Sequence, residues 1–204
     1  MPKVSLATLP RTKYLIGIDE VGRGPLAGPV AVGAFVFLTP DSRLLFRGVK
    51  ESKQLTEEER EEWYKKILIA RDSGHIDFKV TFKSEKVIDN KGLSFAIRKS
   101  VEISLNKLDI DPDSALVLLD GGLKAPSIFE NQKTIIRGDE KEMVIALASI
   151  CAKVKRDRKM RRMAKKYLNY GFEVHKGYGT KAHYEAIERL GPCLIHRQSF
   201  LHKL

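Results

Sequence analysis

The chain has 204 residues, of which 43% are hydrophobic and 31% are charged, and its net charge is +11. This apolar fraction suffices for the core of one domain, which excludes an intrinsically disordered protein, and the basic excess favours a polyanionic partner such as a nucleic acid. The longest uncharged run, residues 24–40, contains three prolines and three glycines, so it does not form the apolar helix of ~20 residues that crosses a membrane. The first residues turn polar too early for a secretion signal, which makes the cytoplasm the expected compartment.

The first predicted elements are two strands. Residues 1–12 have the composition of a loose leader, and the apolar run YLIGI at 14–18 predicts a buried strand that ends at Asp19. A connection rich in glycine and proline follows, and residues 30–38 form a second apolar run. Two strands joined by a tight connection predict a hairpin.

Helices and strands alternate after this hairpin. Thr56 and Glu59 have the spacing of a capping box, which predicts a helix to about residue 70. Periodicity predicts the remaining elements: a strand over 76–82, a helix over 93–108, strands over 115–119 and 134–137, a helix over 142–167 and a helix over 181–190. This order predicts an α/β or α+β fold with one mixed sheet. We expect a single domain over 1–204, whose residues from about 171 form a C-terminal helical extension.

Carboxylates stand where two of these strands end. Asp19 and Glu20 follow the first strand, and Asp120 follows the apolar run at 115–119. A buried carboxylate requires a cation or strong hydrogen bonds. These three acids are therefore candidates for a metal site at one edge of the sheet.

Asp157 is a fourth candidate, because helical periodicity places it on the apolar face of the helix predicted over 142–167. An alternative is that Asp157 forms an ion pair with Lys153 or Arg161, four residues away on the same helix. A group of carboxylates suits Mg²⁺ or Mn²⁺, whereas the lack of HExxH and CxxC motifs gives no support for zinc. Two such ions can hydrolyse a phosphodiester.

Two further features indicate a nucleic acid as substrate. Residues 153–166 contain nine basic residues and one acid, a stretch that would bind a phosphate backbone. Gly22-Arg23-Gly24, directly behind the first acid pair, permits close approach of the backbone, so its amides could bind a phosphate or a ribose hydroxyl. The alternative for this tripeptide is a plain turn before a strand.

Six sequence blocks resemble, in the same order, the ribonuclease HII family of bacteria and archaea. They are IGIDEVGRGPLAGPV at 16–30, ESKQLTEEER at 51–60, LLDGG at 118–122, RGDEKEMVIALASICAKVKRDRKM at 137–160, HKGYGTKAHYEAI at 175–187 and LGPCLIHRQSF at 190–200. The resemblance implies a ribonuclease H-like mixed sheet flanked by helices. It also implies metal-dependent endonucleolytic cleavage of RNA in RNA–DNA hybrids and at ribonucleotides embedded in duplex DNA, with 5′-phosphate and 3′-hydroxyl products.

The resemblance also assigns roles to individual residues. It implies that the catalytic, metal-binding carboxylates are Asp19, Glu20, Asp120 and Asp157, and that Mn²⁺ or Mg²⁺ is the cofactor. It implies substrate contacts by Gly22, Arg23 and Gly24 at the ribose 2′-hydroxyl, by Tyr178 at the adjoining deoxyribose and by Lys53 near phosphates. Asp139 is interpreted as supporting structure near the site and not as a ligand. The histidines His175, His183 and His196 are interpreted as structural or close to phosphates, and not as bases.

Two rival functions and the oligomeric state stay open at this point. A DNA-specific nuclease of the same carboxylate-metal fold would not need Gly22-Arg23-Gly24 or Tyr178. A nucleic-acid-binding protein without catalysis would use the basic stretch alone. We expect a monomer, because no long apolar stripe is left without a partner. The last residues, QSFLHKL, lack the aromatic pair of a sliding-clamp peptide, so a clamp is not favoured as a partner.

Overall fold

Residues 12–201 are described by a computed structural model, so the leader predicted over 1–12 lies, apart from its last residue, outside the described residues. Within them, the strands are β1 (Tyr14–Val21), β2 (Val30–Phe37), β3 (Ile76–Lys83), β4 (Ala115–Asp120) and β5 (Gln132–Ile135). They form one sheet in the order β3-β2-β1-β4-β5. β2 pairs with β1 and β3 in antiparallel orientation, whereas β4 is parallel to β1 and β5. The predicted hairpin and mixed sheet are therefore confirmed.

Seven α-helices accompany the sheet within residues 12–201. They are α1 (Glu57–Asp72), α2 (Glu85–Lys91), α3 (Leu93–Leu108), α4 (Gly138–Lys141), α5 (Met143–Lys166), α6 (Phe172–His175) and α7 (Lys181–Leu190). The predicted capping box at the start of α1 is present, since the Thr56 side chain accepts a hydrogen bond from the Glu59 amide and the Glu59 side chain accepts one from the Thr56 amide. None of these helices is long and apolar enough to cross a membrane.

The two faces of the sheet are covered by different helices. α5 and α1 pack on one face, where they enclose an aromatic and aliphatic core around Phe35, Phe46 and Phe78. α3 covers the other face, and its apolar side packs on Ile16, Ile18 and other side chains of β1, β2 and β4. β2 is buried at all eight of its positions, as expected for a strand that is covered on both faces.

The structure differs from the sequence-based prediction mainly at the ends of two strands. β1 continues to Val21, so Asp19 and Glu20 lie within the strand and not after it. The cause is the antiparallel ladder with β2, which pairs every residue from Leu15 to Val21. β5 lies two residues earlier than the predicted 134–137, because the backbone turns into α4 at Gly138.

The residues after α5 pack on the C-terminal end of that helix. Met160 of α5, Phe172 of α6, Ala186 of α7 and Ile195 form a small separate apolar cluster with Ala27 of the loop between β1 and β2. The predicted helix at 181–190 is confirmed, and α6 was not predicted. This packing places the C-terminal segment beside the first loop of the chain.

Candidate active site

The parallel pairing of β1 with β4 brings the first acids together. Ile18 is paired with Leu119 in this ladder. Asp19 and Asp120 are the next residues of the two strands, so they lie side by side at one edge of the sheet. Glu20 follows Asp19, and its side chain lies on the opposite face because side chains alternate along a strand.

Asp19 is buried among other carboxylates, with only 5% of its surface exposed. Burial raises the pKa of Asp19 well above its ordinary value, against a hydrogen bond with Ser149 of α5 that lowers it. The negative charges of Glu20, Asp120 and Asp139 raise that pKa further. Electrostatic repulsion of this kind is relieved by a cation placed between the carboxylates.

Glu20 connects this group to the next loop. Its Oε1 accepts a hydrogen bond from Nη1 of Arg23 at 2.8 Å. Its Oε2 is buried and finds no hydrogen-bond partner among the described residues. Burial raises the pKa of Glu20, and the Arg23 guanidinium opposes that rise. Glu20 thus has a free carboxylate oxygen inside the site.

Asp120 and Asp139 are linked through α4. Oδ1 of Asp120 accepts a hydrogen bond from the Gly138 amide at 2.6 Å, and Asp139 is the next residue along the chain. Asp139 is 4% exposed, and its Oδ2 lies 3.2 Å from Nζ of Lys53. Carboxylate oxygens of Asp139, Glu51 and Glu140 lie within 4.8 Å of one another. Asp139 therefore belongs to the carboxylate group, and Lys53 reaches that group from the α1 side.

Asp157 is buried as periodicity predicted, but the structure does not bring it to the other acids. Nζ of Lys153 lies 3.0 Å from its Oδ2, which is the alternative i,i+4 pairing. Asp157 also lies eight residues beyond Ser149, the α5 residue that contacts Asp19. Eight residues correspond to about 12 Å along an α-helix. In this geometry Asp139, and not Asp157, acts on Asp19 together with Glu20 and Asp120, whereas the metal-binding role expected of Asp157 stays a prediction.

The loop after β1 carries the predicted ribose-binding tripeptide. Gly22 has φ +92°, and a Cβ there would lie 2.3 Å from Nε of Arg156, so a side chain at position 22 would be both strained and obstructed. At Gly24, in contrast, a Cβ would meet open space. The loop is thus packed against α5 at its start and open toward solvent two residues later.

Tyr178 lies near the same loop. The residue is 38% exposed, and the cationic groups of Lys153 and Arg156 lie 5.7 and 5.6 Å from the centroid of its ring. Arg156 contacts both Gly22 and Tyr178. The same side chain therefore packs against the predicted ribose-binding loop and against the predicted stacking residue. A partly exposed ring beside two cations is suited to contact a sugar next to a phosphate.

Two supporting residues of this region were missed by sequence analysis. Arg156 and Arg197 are fully buried, and each donates hydrogen bonds to main-chain carbonyls of residues 22–29. Sequence analysis counted Arg156 with the surface charges of the basic stretch. Helical periodicity could have indicated that Arg156 is buried, because it had already placed the next residue, Asp157, on the apolar face of α5.

The three C-terminal histidines are also buried, as their structural interpretation requires. Nε2 of His183 lies 3.1 Å from Nε2 of His196, and the rings of His175 and His183 are stacked at 4.2 Å. Nδ1 of His183 contacts the carbonyl of Tyr178 at 2.9 Å. Burial lowers the pKa of His183 to about 4. This buried cluster supports the backbone that carries Tyr178.

Comparisons with known proteins agree with this geometry. A family model described as Ribonuclease HII matches residues 16–203. A relative of that name from Caldicellulosiruptor bescii is 44% identical over 189 residues, which cover 93% of this chain and 87% of the relative. The crystal structure of ribonuclease H2 from Pyrococcus horikoshii OT3 has a TM-score of 0.70 at 28% identity and covers 92% of this chain and 93% of its own. Bst ribonuclease HIII in complex with Mn²⁺ has a TM-score of 0.65 at 24% identity, covers 91% of this chain and 65% of its own, and is similar in fold alone.

Proposed function

Since this chain belongs to the ribonuclease HII family and is a ribonuclease H endoribonuclease, we propose that it cuts the RNA strand of RNA–DNA hybrids and also duplex DNA at embedded ribonucleotides. The proposed products carry 5′-phosphate and 3′-hydroxyl ends. One observation carries this proposal: a group of buried carboxylates lies directly in front of a loop, Gly22-Arg23-Gly24, that can recognise a ribose.

The carboxylates fit the divalent cations of this family, Mn²⁺ or Mg²⁺. Three properties support that fit: the raised pKa of Asp19, a buried Glu20 oxygen that has no hydrogen-bond partner within residues 12–201, and a set of donors made only of oxygen. We propose that Asp19, Glu20 and Asp120 hold the cation, with Asp139 in place of Asp157. When bound, the metal supplies Lewis-acid chemistry for phosphodiester hydrolysis.

The protein's own groups then bind and orient the substrate. The amides of Gly22-Arg23-Gly24 are proposed to contact the 2′-hydroxyl, the group by which RNA differs from DNA along the backbone. The Tyr178 ring is proposed to stack on the adjoining deoxyribose, and Lys53, whose side chain is 76% exposed, to approach a phosphate. Because none of these contacts involves a base edge, cleavage should be independent of base sequence.

We propose that the whole chain is one catalytic domain with a C-terminal helical extension from about residue 171. α6, α7 and Ile195 pack on α5 and on Ala27, next to the proposed ribose-binding loop. We do not propose a sliding clamp as a partner. The end of the QSFLHKL segment lies outside the described residues.

A cleavage assay with a long RNA–DNA hybrid tests the proposal against a non-catalytic binding protein. With Mg²⁺ or Mn²⁺, we expect the RNA strand to be cut and its 3′ ends to be extendable by a polymerase. Asp19→Asn should abolish turnover and retain hybrid binding, because it removes a proposed metal ligand and one negative charge. Turnover by Asp19→Asn near the wild-type rate, or binding by the wild-type chain without any cleavage, would contradict the proposal.

A further inference from the structure

A fully buried arginine directly contacts the carbonyl side of the ribose-binding loop. Arg197 is 0% exposed. Its Nη2 donates to the Gly22 carbonyl at 2.7 Å, its Nη1 to the Arg23 carbonyl at 2.8 Å and its Nε to the Gly28 carbonyl at 2.9 Å. All three nitrogens of one guanidinium thus bind main-chain carbonyls of a single loop.

These contacts determine how the loop presents its amides. In a trans peptide the carbonyl and the N–H of the same unit point in opposite directions. The unit whose carbonyl belongs to Gly22 carries the N–H of Arg23, and the unit whose carbonyl belongs to Arg23 carries the N–H of Gly24. By holding both carbonyls, Arg197 directs these two N–H groups away from the protein interior. They are then available to a hydroxyl or phosphate oxygen of the substrate.

Arg197 is itself fixed from two sides. Its backbone amide donates to the Leu26 carbonyl at 2.8 Å, which aligns its segment with the loop. On the other side, Asp89 of α2 accepts hydrogen bonds from the amides of Gln198 and Ser199, each at 3.0 Å. A planar guanidinium held in this way has little freedom to turn, so the carbonyls bonded to it are held in place as well.

The electrostatics indicate a role other than general stability. Burial and the nearby charge of Arg156 lower the pKa of Arg197 to about 9, so the guanidinium stays protonated at neutral pH. Placing a cation inside a protein is unfavourable unless it satisfies groups that would otherwise lack partners. Here those groups are the loop carbonyls, and Arg156 binds the adjoining ones, of Ala27 and Pro29.

We propose that Arg197 is the positioning residue for ribose recognition, because it sets the orientation of the Arg23 and Gly24 amides. This inference rests on the proposed function, in which that loop contacts the 2′-hydroxyl. Arg197 contacts neither substrate nor metal in this scheme. It acts on selectivity between ribose and deoxyribose and leaves the binding of the phosphate backbone unchanged.

Binding measurements on two duplexes test this inference. In an Asp19→Asn background, which prevents cleavage, we compare the affinity for a duplex with one ribonucleotide to that for the same duplex made only of DNA. We expect Arg197→Gln to reduce the preference for the ribonucleotide about tenfold, which corresponds to ~1.4 kcal/mol, while the affinity for the DNA duplex stays unchanged. The matched control is Arg189→Gln, the same change at an exposed arginine of α7, which should leave both affinities unchanged.

Other results of these binding measurements would overturn the inference or the proposed function. A preference that survives in Arg197→Gln, or a parallel loss of affinity for both duplexes, overturns this inference and leaves the proposed function intact. Lack of any preference in the Asp19→Asn protein overturns the proposed function and this inference with it. If Arg197→Gln does not fold, Asp89→Asn takes its place: this change weakens the hydrogen bonds to the Gln198 and Ser199 amides at a partly exposed position, and the preference should again fall severalfold. An unchanged preference in Asp89→Asn would then overturn the inference.

Discussion

Asp19 is a buried acid in an electrostatically unfavourable position. It is buried next to Glu20, Asp120 and Asp139, and burial raises its pKa well above the ordinary value. The negative charges of these neighbours raise the pKa of Asp19 further, and a cation placed between the carboxylates relieves this repulsion. Perturbed carboxylates at the edge of a sheet are typical of functional sites. The proposed catalytic group is therefore recognisable from its electrostatics as well as from its sequence.

Metal-dependent stabilisation separates Asp139 from Asp157. Mn²⁺ should raise the melting temperature of the wild-type protein. We expect Asp139→Asn to need at least about tenfold more Mn²⁺ for the same rise, because the substitution removes one carboxylate from the cluster of acids. Asp157→Asn should leave this dependence unchanged and lower the metal-free stability by about 1–3 kcal/mol, since Lys153 loses its buried partner. The measurement is the melting temperature as a function of Mn²⁺ concentration. The reverse pattern would restore Asp157 as the fourth ligand.

Three of the acids could be placed at one edge of the sheet from the sequence, whereas the distance of Asp157 from them could not be predicted. Asp19, Glu20 and Asp120 follow apolar runs, and parallel strands place such residues at one edge. Helical periodicity showed correctly that Asp157 faces inward. It could not show how far along the sheet the residue lies, because that depends on how α5 is positioned against β1 and β2. Burial alone therefore did not distinguish a metal ligand from the partner of Lys153.

At the scale of elements, two glycines fix the position of α5 on the sheet. A Cβ on Gly17 of β1 would lie 2.3 Å from the carbonyl carbon of Val144, and one on Gly33 of β2 would lie 2.3 Å from the Ala148 carbonyl oxygen. These obstacles are backbone atoms and do not move aside easily. The close approach also brings Ser149 of α5 to Asp19. The packing of this helix thus supports the site directly.

Gly33→Ala tests that packing. We expect the free energy of unfolding to fall by about 2 kcal/mol or more, because the added methyl group forces α5 away from β2. Turnover should fall too, since Ser149 moves away from Asp19. Gly122→Ala is the control, because a Cβ there meets open space. Urea unfolding of both variants provides the measurement, and equal stability of the two would refute this account of the packing.

The histidine cluster predicts a dependence of stability on pH. The pKa of His183 is lowered from 6.5 to about 4 by burial, so the unfolded chain binds the proton first as pH falls. Its contribution to stability is therefore lost as pH falls through the range from about 6.5 to about 4. Asp19 and Glu20, whose pKa values are raised, change stability in the opposite direction. The effect of His183 must accordingly be measured as a difference between variants.

We expect His183→Gln to reduce the loss of unfolding free energy between about pH 7 and about pH 5 by roughly 2 kcal/mol relative to wild type. His75→Gln, at an exposed position, should show the wild-type dependence. Urea titrations at the two pH values measure both. If His183→Gln retains the full wild-type slope, protonation of this residue does not destabilise the cluster.

Most helices and strands of the sheet could be predicted from the sequence. The predicted bounds of α3 and α7 are those of the structure, because each helix has periodic apolar residues between clear ends. The end of β1 was missed because Asp19 and Glu20 are polar, whereas pairing with β2 keeps them in the strand. α2 was missed because it has a single fully buried position, Ile88, and too few turns for a periodic signal.

At the scale of the whole molecule, the net charge of +11 overstates the positive surface that α5 offers to phosphates. Arg156 is buried, and Arg158 and Arg161 form ion pairs with acids at the start of α1. Lys155, Arg162 and Lys165 line an open cleft together with Tyr64 and Phe82, and the two paired arginines line the same cleft. Sequence analysis could count these charges, but the ion pairs depend on how α1 packs against α5.

We propose that one site combines a metal-binding carboxylate group with a loop that recognises ribose. The most direct measurement compares cleavage of a DNA duplex containing one ribonucleotide with cleavage of the same all-DNA duplex, both with Mg²⁺ or Mn²⁺. We predict that only the duplex with the ribonucleotide is cut, with 3′-hydroxyl and 5′-phosphate ends. Equal cleavage of both duplexes, or cleavage of the all-DNA duplex alone, would contradict the claim and favour a DNA-specific nuclease of the same fold.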